Sequence, residues 1–228
     1  MNISETLLAY SVEEFLTDAE TASVLEMLDR HTAPLPVRAM TPGHNGRSIH
    51  SLDGFSVEET VEIYEPRGRL ELDAVADDVS EVMDRAVHRR WDDLRRALPS
   101  ARRVDPWIYL EYGPEQYVTP HIDYAWNEDF PDHPKVAGIS VQLNDGFLGG
   151  ELFVETSASP RLWRAADGRE VVAAGADLSS HWFPSTPRTR WTSTPRRGTA
   201  YLYGSQLVHG TLPVLRGRVR KLISFVTA

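Results

Sequence analysis

A histidine and an aspartate two positions apart, His121 and Asp123, are the residues of this sequence best suited to metal chemistry. In an extended strand alternate side chains share a face, with Cα atoms about 6.6 Å apart, so both could reach one ion. A third donor must come from elsewhere, and His209 is the candidate. Two imidazoles and one carboxylate on one face leave the opposite coordination positions open, which suits a non-haem Fe(II) oxygenase. Because a His-x-Asp pair is common in strands and turns, the interpretation depends on the surrounding sequence.

Composition and charge exclude several other classes of protein. The 228 residues contain no cysteine, which excludes structural disulfides, thiolate metal sites and cysteine nucleophiles. The formal net charge of −9 argues against a general nucleic-acid binder, because neutralising phosphates requires an excess of Lys and Arg. The first ten residues lack a signal-peptide pattern, and no apolar run is long enough to span a membrane. We therefore expect a soluble cytoplasmic protein with neither a nucleic-acid nor a membrane partner.

The first hundred residues carry patterns that are mainly helical. Residues 11–31 are predicted to form a helix, with Thr17 and Glu20 as a capping box. Residues 56–64 alternate in polarity, which indicates a strand. From about residue 73 to residue 98, apolar residues recur at spacings of three and four, which predicts one long helix with a solvated, charged opposite face.

The pattern changes to short strands separated by turn signals after Pro106. Helices first and strands second predict an α+β protein in which a sheet sandwich or barrel carries the site. The predicted strands comprise residues 107–112, 117–123, 136–144, 151–155, 198–203, 206–209 and 218–227.

Taken in order, the motifs of residues 107–228 resemble the prolyl-4-hydroxylase-like branch of the Fe(II)/2-oxoglutarate-dependent dioxygenases. These motifs are Leu110-Glu111-Tyr112-Gly113-Pro114, Pro120-His121-Ile122-Asp123, Val141-Gln142-Leu143-Asn144-Asp145, Gly149-Gly150-Glu151-Leu152, Gly198-Thr199-Ala200-Tyr201, Leu207-Val208-His209 and Pro213-Val214. The resemblance implies a double-stranded β-helix core of the jelly-roll or cupin-like type. We expect one dioxygenase domain over residues 1–228, with 1–100 as a mainly helical support packed outside the core of 101–228.

The same resemblance implies Fe(II) bound by His121, Asp123 and His209, 2-oxoglutarate chelating the iron, and O2 as the oxidant. Because the carboxylate Asp123 is retained, hydroxylation is the first expectation, with desaturation or cyclisation as alternatives. The expected substrate is a small molecule such as an amino acid or a biosynthetic intermediate. The alternatives are hydroxylation of a peptide or protein prolyl residue, and a non-oxidative metal-binding barrel.

The second carboxylate of 2-oxoglutarate requires a cation, because a buried charge must be paired. Arginine is the usual choice. The family places its basic residue about ten positions after the distal histidine, but here that position is Val219, between Arg218 and Arg220. We favour Arg220, because Ser224 then follows at the place of a small hydroxyl residue, and Arg218 is the alternative. The strand parity of Lys221 argues against it.

Other side chains are secondary candidates. Gln142 stands where relatives often carry a tyrosine that contacts the cosubstrate, and Tyr112 and Tyr117 could contact ligand or pack in the core. Of the remaining histidines, His133 follows the metal motif closely and could contact substrate. The expected role is surface or structural for His31, His44, His50, His88, His133 and His181.

A long insertion loop is predicted over residues 156–197, at the rim of the active site according to the resemblance. Its arginines and tryptophans would suit an anionic or aromatic substrate, and an elaborated surface loop is an equal alternative. These residues are Arg161, Trp163, Arg164, Trp182, Arg188, Arg190 and Trp191.

Overall fold

Three antiparallel sheets and a set of helices make up the part of the protein that the computed structural model describes, which is residues 3–34, 50, 54–72, 74–123, 134–157, 188–194 and 196–228. The helices are α1 (Asp18–Thr32), α2 (Val57–Tyr64), α3 (Asp77–Arg89) and α4 (Trp91–Ala97). The strands are β1 (Ala9–Val12), β2 (Leu70–Leu72), β3 (Arg103–Val104), β4 (Ile108–Tyr112), β5 (Val118–His121), β6 (Lys135–Gln142), β7 (Leu148–Gly149), β8 (Leu152–Ser157), β9 (Arg188–Thr192), β10 (Ala200–Gly204), β11 (Val208–Thr211), β12 (Val214–Arg216) and β13 (Val219–Thr227).

The larger sheet has seven strands in the order β1-β10-β6-β13-β4-β2, with β3 also paired to β13. The second sheet has the order β5-β11-β8-β9, and β12 pairs with β7. Side chains of both larger sheets line one internal cavity, among them Tyr112 of β4, Lys221 of β13, His121 of β5 and His209 of β11. The two sheets therefore enclose the cavity between them.

The two faces of the seven-stranded sheet pack against different neighbours. On β13, Leu222 and Val226 belong to the main hydrophobic core, which also contains buried side chains of α1, α3 and α4. Their neighbours Val219 and Ile223 belong to a smaller cluster inside the barrel. Because side chains alternate along a strand, each residue of β13 points either to the helices or to the cavity.

The helix predicted over residues 11–31 is present as α1, and its capping box is confirmed: Thr17 Oγ1 accepts from the Glu20 amide, and Glu20 accepts from the Thr17 amide. The N-terminal part of that prediction was wrong, because Ala9–Val12 is a strand. This strand pairs with β10 of the larger sheet, which satisfies its backbone groups.

Two predictions about the helical half were wrong. Residues 57–64 form α2 and not a strand, because Ser56 and Glu59 make a second capping box that starts a helix. The single helix predicted for residues 73–98 is divided into α3 and α4 at Arg90, whose ψ angle of 11° departs from helical geometry.

Each strand predicted after Pro106 is present, with ends that move by two residues or fewer. The loop predicted over residues 156–197 is corrected at both ends: β8 extends to Ser157, and Arg188–Thr192 form β9, which pairs with it. Residues 158–187 lie outside the described residues, as do His44 and His133. In the described part of the chain, no helix combines the length and apolar character needed to cross a membrane.

Candidate metal and cosubstrate site

Two neighbouring strands bring the three predicted metal ligands together. His121 ends β5 and lies directly opposite His209 of β11 in the antiparallel pairing, with ring centroids 4.3 Å apart. Asp123 Oδ1 is 3.7 Å from His121 Nε2, and its Oδ2 is 3.6 Å from His209 Nε2. One potential ligand atom from each residue lies within 4.8 Å of the others.

Backbone carbonyls orient both imidazoles for metal binding. His121 Nδ1 is 2.8 Å from the Thr119 carbonyl oxygen, and His209 Nδ1 is 2.9 Å from the Leu207 carbonyl oxygen. A carbonyl only accepts, so each Nδ1 must carry the proton. Each Nε2 therefore presents a lone pair toward Asp123, which is the tautomer that a metal ligand needs.

Burial sets the charges of the three side chains. It lowers the pKa of His121 to about 3, assisted by His209 and His50, and it lowers the pKa of His209 to about 4. Burial also raises the pKa of Asp123. Asp123 Oδ2 is buried with no hydrogen-bond partner among the described residues. Neutral imidazoles beside an unsatisfied carboxylate oxygen fit a divalent cation, which would restore the carboxylate to its charged form.

Lys221, against which the strand-parity argument had spoken, lies in this cavity as one of its two described cationic side chains, the other being Arg69. The Lys221 side chain is buried, at 4% exposure for the residue, and Nζ donates to Thr211 Oγ1 over 2.8 Å. Nζ also lies 4.7 Å from the centroid of the Tyr112 ring. Burial, followed by the charge of Arg69, lowers the pKa of Lys221 to about 7.

The structure places Arg220, Arg218 and Ser224 away from this cavity, contrary to the roles predicted for them. Arg220 Nε donates to Tyr109 Oη over 2.6 Å, and its guanidinium forms an ion pair with Asp29 of α1. Arg218 is largely exposed and pairs with Glu111, and Ser224 donates to the Asp105 carbonyl. Arg220 and Ser224 lie on the helix-facing side of β13, and Arg218 lies just before the strand. Strand parity correctly separated Lys221 from Arg220, but it is Lys221 that faces the cavity.

Tyr112 lies in the cavity, where its hydroxyl accepts a 2.7 Å hydrogen bond from Arg69 Nη1. Arg69 also lines the cavity and forms buried ion pairs with Glu65 and Glu71. Gln142 pairs with Lys221 between β6 and β13, and its amide nitrogen donates to the carbonyls of Asn144 and Arg220. Tyr112 is thus positioned for the predicted cosubstrate contact, whereas the Gln142 amide group is bonded to backbone.

His50 is a residue of the site that sequence reasoning missed. Its Nε2 lies 3.2 Å from His121 Nε2, and its ring stacks on Tyr64. A surface or structural role was expected because His50 has no carboxylate partner at strand spacing in the sequence. Its partner Glu65 is fifteen positions away, so no local spacing could have identified it.

A second pocket adjoins the metal cavity and is here called the outer pocket. Leu152 and Tyr203 line both spaces, so the two pockets lie side by side. The described residues that line the outer pocket carry no charged side chain: Ala9, Tyr10, Ser11, Leu152, Val154, Trp191, Thr192, Ser193, Tyr201, Leu202 and Tyr203. Arg190, predicted to attract an anion, donates to Glu155 over 2.9 Å and lies over the Phe153 ring.

Comparison with known proteins supports the fold predicted from the resemblance. A scan against protein-family models and a search of curated sequences found no match. Among solved structures, the chain is similar to a viral collagen prolyl hydroxylase from Paramecium bursaria Chlorella virus-1 in complex with 2OG (15% identity, 96% of each chain, TM-score 0.54). It is also similar to a 2OG-Fe(II) oxygenase family oxidoreductase from Burkholderia pseudomallei (16%, 95% and 82% of the chains, TM-score 0.53).

A third similar structure is the epimerase SnoN from nogalamycin biosynthesis, in complex with Fe3+ and alpha ketoglutarate (17% identity, 95% of this chain and 77% of that one, TM-score 0.57). At these identities the similarity establishes the fold. The predicted resemblance to prolyl-4-hydroxylase-like 2-oxoglutarate oxygenases is therefore confirmed at the level of the double-stranded β-helix core.

Proposed function

We propose that this protein is an Fe(II)- and 2-oxoglutarate-dependent dioxygenase that hydroxylates an unactivated C–H bond of a small molecule and converts 2-oxoglutarate to succinate. The observation that carries the proposal is the convergence of His121, Asp123 and His209 in one cavity between the two sheets. Two imidazoles and one carboxylate are the ligand set typical of non-haem Fe(II) oxygenases. The chain is proposed to form a single dioxygenase domain, since β1 near its N-terminal end pairs with the core strand β10.

Iron and 2-oxoglutarate, when bound, supply the oxidising chemistry, and the protein supplies geometry and the exclusion of water. His121 and His209 would hold the ion through their unprotonated Nε2 atoms, with Asp123 contributing its carboxylate. The two carbonyls that accept from Nδ1 keep the rings from turning away. The three side chains are buried, so the site admits ligand without bulk water.

Lys221 replaces the two predicted arginines as the proposed partner of the distal carboxylate of 2-oxoglutarate. It is a buried cation in the same cavity as the metal ligands. A buried ammonium without a counterion is costly, and a carboxylate would remove that cost. Thr211 and Tyr112, which contact the Lys221 ammonium, are proposed to complete this subsite with their hydroxyl groups.

The proposed substrate is a small molecule that enters through the outer pocket. Support comes from the position of this pocket beside the metal cavity and from its aromatic lining by Tyr10, Trp191 and Tyr201. Structural relatives include both prolyl hydroxylases and an epimerase of a biosynthetic pathway, so hydroxylation of a peptide remains the alternative. A non-oxidative metal barrel is a third function, which the oxygen measurement below distinguishes.

The test is the turnover of 2-oxoglutarate to succinate by the purified protein with Fe(II), together with O2 consumption. We expect both to require iron, and both to fall to background in His121→Ala and in His209→Ala. His88→Ala, which changes an exposed histidine on α3, is the matched control and should retain turnover. Metal binding without O2 consumption would contradict the dioxygenase proposal and favour the non-oxidative barrel.

The substrate is tested by adding candidate small molecules and prolyl peptides separately and measuring stimulated succinate release. The expected product is heavier than its substrate by one oxygen atom. Trp191→Ala should raise KM for the small-molecule substrate and leave KM for 2-oxoglutarate unchanged, because Trp191 lines the outer pocket and is not among the described residues that line the metal cavity. Stimulation by a prolyl peptide alone would replace the small-molecule proposal.

A further inference from the structure

Arg69 is a buried cation of the metal cavity to which the proposed function gives no role. Its side chain is 2% exposed, and it lines the cavity together with Tyr112. It directly precedes β2, the edge strand that pairs with β4. The antiparallel register sets Leu70 opposite Glu111. One step further along both strands, Arg69 lies beside Tyr112, so the edge strand carries the guanidinium into the cavity.

The three nitrogens of the Arg69 guanidinium have different partners. Nε and Nη2 donate to Glu71 Oε2 over 3.1 and 2.7 Å. Nη2 is also 2.8 Å from Glu65 Oε1, and both glutamate side chains are buried. The remaining nitrogen, Nη1, donates to the Tyr112 hydroxyl over 2.7 Å. Because a guanidinium is planar, the two carboxylates fix the direction in which Nη1 points.

The hydrogen bond from Arg69 determines how the Tyr112 hydroxyl can bind a ligand. Burial raises the pKa of Tyr112, so the hydroxyl keeps its proton at neutral pH. Arginine has no lone pair, so the Tyr112 oxygen accepts from Nη1 and its own proton turns to a different acceptor. A hydroxyl that accepts from a cation is also a stronger donor, because hydrogen bonds in series polarise one another. Arg69 thus presents Tyr112 as a donor.

The Thr211 hydroxyl has the same arrangement with the second described cation of the cavity, Lys221. Its oxygen accepts a 2.8 Å hydrogen bond from Lys221 Nζ, so its proton is also available to another acceptor. The Lys221 ammonium lies 4.7 Å from the centroid of the Tyr112 ring. One ammonium and two hydroxyls, each of which accepts from a cation, therefore offer donors close together. A carboxylate, which accepts through about four lone pairs, is the ligand group that such donors fit.

We propose that Arg69 is a positioning residue for 2-oxoglutarate, which acts by turning the Tyr112 hydroxyl proton toward the distal carboxylate that Lys221 pairs with. The inference rests on the proposed function, because it assigns Arg69 to the cosubstrate subsite of that function. Arg69 itself does not bind the carboxylate, since its nitrogens are engaged by Glu65, Glu71 and the Tyr112 hydroxyl. The two glutamates match its charge, so Arg69 contributes direction and not net positive charge.

The experiment measures 2-oxoglutarate binding to the Co(II)-loaded protein without O2, by titration calorimetry. Arg69→Lys keeps a cation between the two glutamates but lacks the nitrogen that reaches Tyr112. We expect Arg69→Lys to weaken 2-oxoglutarate binding about 3- to 10-fold through loss of the oriented hydroxyl. Tyr112→Phe should weaken it by roughly tenfold or more, because a hydrogen bond to a charged group is lost.

The two changes combined separate positioning from a general structural effect. In the Tyr112→Phe background, Arg69→Lys should weaken 2-oxoglutarate binding by less than about twofold, because the hydroxyl through which Arg69 acts is gone. Arg85→Lys, which changes an exposed arginine of α3 that pairs with Glu81, is the matched control and should bind as the unaltered protein does.

Unchanged binding in Arg69→Lys, or an equal loss with and without the Tyr112 hydroxyl, would overturn the positioning role and leave the proposed function intact. Absence of 2-oxoglutarate binding by the unaltered Co(II)-loaded protein would overturn the proposed function and this inference with it. Circular dichroism checks the folding of each variant. If Arg69→Lys does not fold, Glu71→Gln, which removes one of the charges that fix the guanidinium, decides by the same comparison of the two backgrounds.

Discussion

Lys221 Nζ donates a 2.8 Å hydrogen bond to Thr211 Oγ1 across the barrel, from β13 to β11. Thr211 follows His209 by two positions on β11, so both side chains leave the strand on the same face. The proposed cosubstrate cation is therefore tied to the strand that supplies a metal ligand. This link positions the two ends of the proposed 2-oxoglutarate site relative to each other before any ligand binds.

Substitution of Lys221 should weaken 2-oxoglutarate binding, whereas substitution of its neighbour Arg220 should not. Removing one partner of a buried charge pair costs about 2–5 kcal/mol, so we expect Lys221→Met to raise KM for 2-oxoglutarate by roughly 30-fold or more. Arg220→Met is the matched control: it should leave that KM unchanged but lower thermal stability, since contacts to Tyr109 and Asp29 are lost. Succinate release at varied 2-oxoglutarate measures KM, and the opposite ranking would return the role to Arg220.

The affinity for 2-oxoglutarate should fall as pH rises above neutrality. The pKa of Lys221 in the free protein is about 7, so below that value it is an ammonium ready to pair with a carboxylate. Above it, binding requires uptake of a proton, and affinity should fall by up to about tenfold per pH unit. Arg69 keeps its charge throughout this range, because the carboxylates around it raise its pKa. Binding titrations from pH 6 to pH 9 measure this dependence. In Lys221→Arg the affinity for 2-oxoglutarate should not change with pH over this range. If the variant shows the same pH dependence as the unaltered protein, another group is responsible for it.

The same lowered pKa affects folding stability with a definite sign. Lys221 in the unfolded chain titrates near 10.5, and in the folded protein near 7. Between these values the unfolded state binds more protons, so the contribution of Lys221 to the free energy of unfolding rises with pH from about 7 to 10.5. Lys221→Met should remove this contribution. Urea unfolding at several pH values would show it as a smaller pH slope in the variant than in the unaltered protein.

Loss of Arg69 should strongly destabilise the fold. Its guanidinium is the partner of Glu65 and Glu71, and all three side chains are buried. Arg69→Met leaves two buried carboxylates without this cation, which should cost about 3–5 kcal/mol of unfolding free energy. The control, Arg85→Met, breaks an exposed pair with Glu81 and should change stability by less than about 1 kcal/mol. If urea unfolding shows the same loss of unfolding free energy in Arg69→Met and Arg85→Met, the buried ion pairs of Arg69 do not stabilise the fold more than an exposed pair does.

A side chain at Gly138 should disturb the metal site through Tyr203. A Cβ atom on Gly138 would overlap the Tyr203 ring, whose centroid lies 4.2 Å from the His209 ring centroid. We expect Gly138→Ala to lower the unfolding free energy by about 1–3 kcal/mol and to weaken Co(II) binding. In a Tyr203→Leu background the added methyl group should cost less, because the overlapping ring is gone. Equal costs in the two backgrounds would show that Tyr203 does not transmit the effect.

Much of the core and of the metal triad was predictable because the relevant signals are local or ordered along the chain. The strands after Pro106 follow alternation and turn residues. Strand geometry predicted that His121 and Asp123 could reach one ion, although β5 ends at His121 and Asp123 lies just beyond it. Residues 57–64 were assigned wrongly because their alternation fits a strand as well as a short helix. The capping box of Ser56 and Glu59 was the local signal that favours the helix.

Local patterns failed where both faces of a strand are buried. Seven of the nine residues of β13 are buried, so hydrophobic alternation does not show which face points inward. Helices pack against Leu222 on one side, and the cavity lies on the other side with Lys221. Whether the Lys221 or the Arg220 side chain points into the cavity therefore depends on which layer packs on each face of β13. Residues throughout the chain determine that packing.

The sequence by itself determined the ligand types, their order along the chain and the kind of core that carries them. The tertiary structure decided that Lys221 and not Arg220 enters the cavity, and that His50 meets His121 although seventy-one positions separate them. The physical reason is that polar contacts between separate segments, such as the ion pair of Arg220 with Asp29 and the hydrogen bond of His50 with Glu65, depend on how those segments pack. Periodicity reports only the neighbours of a residue within its own element.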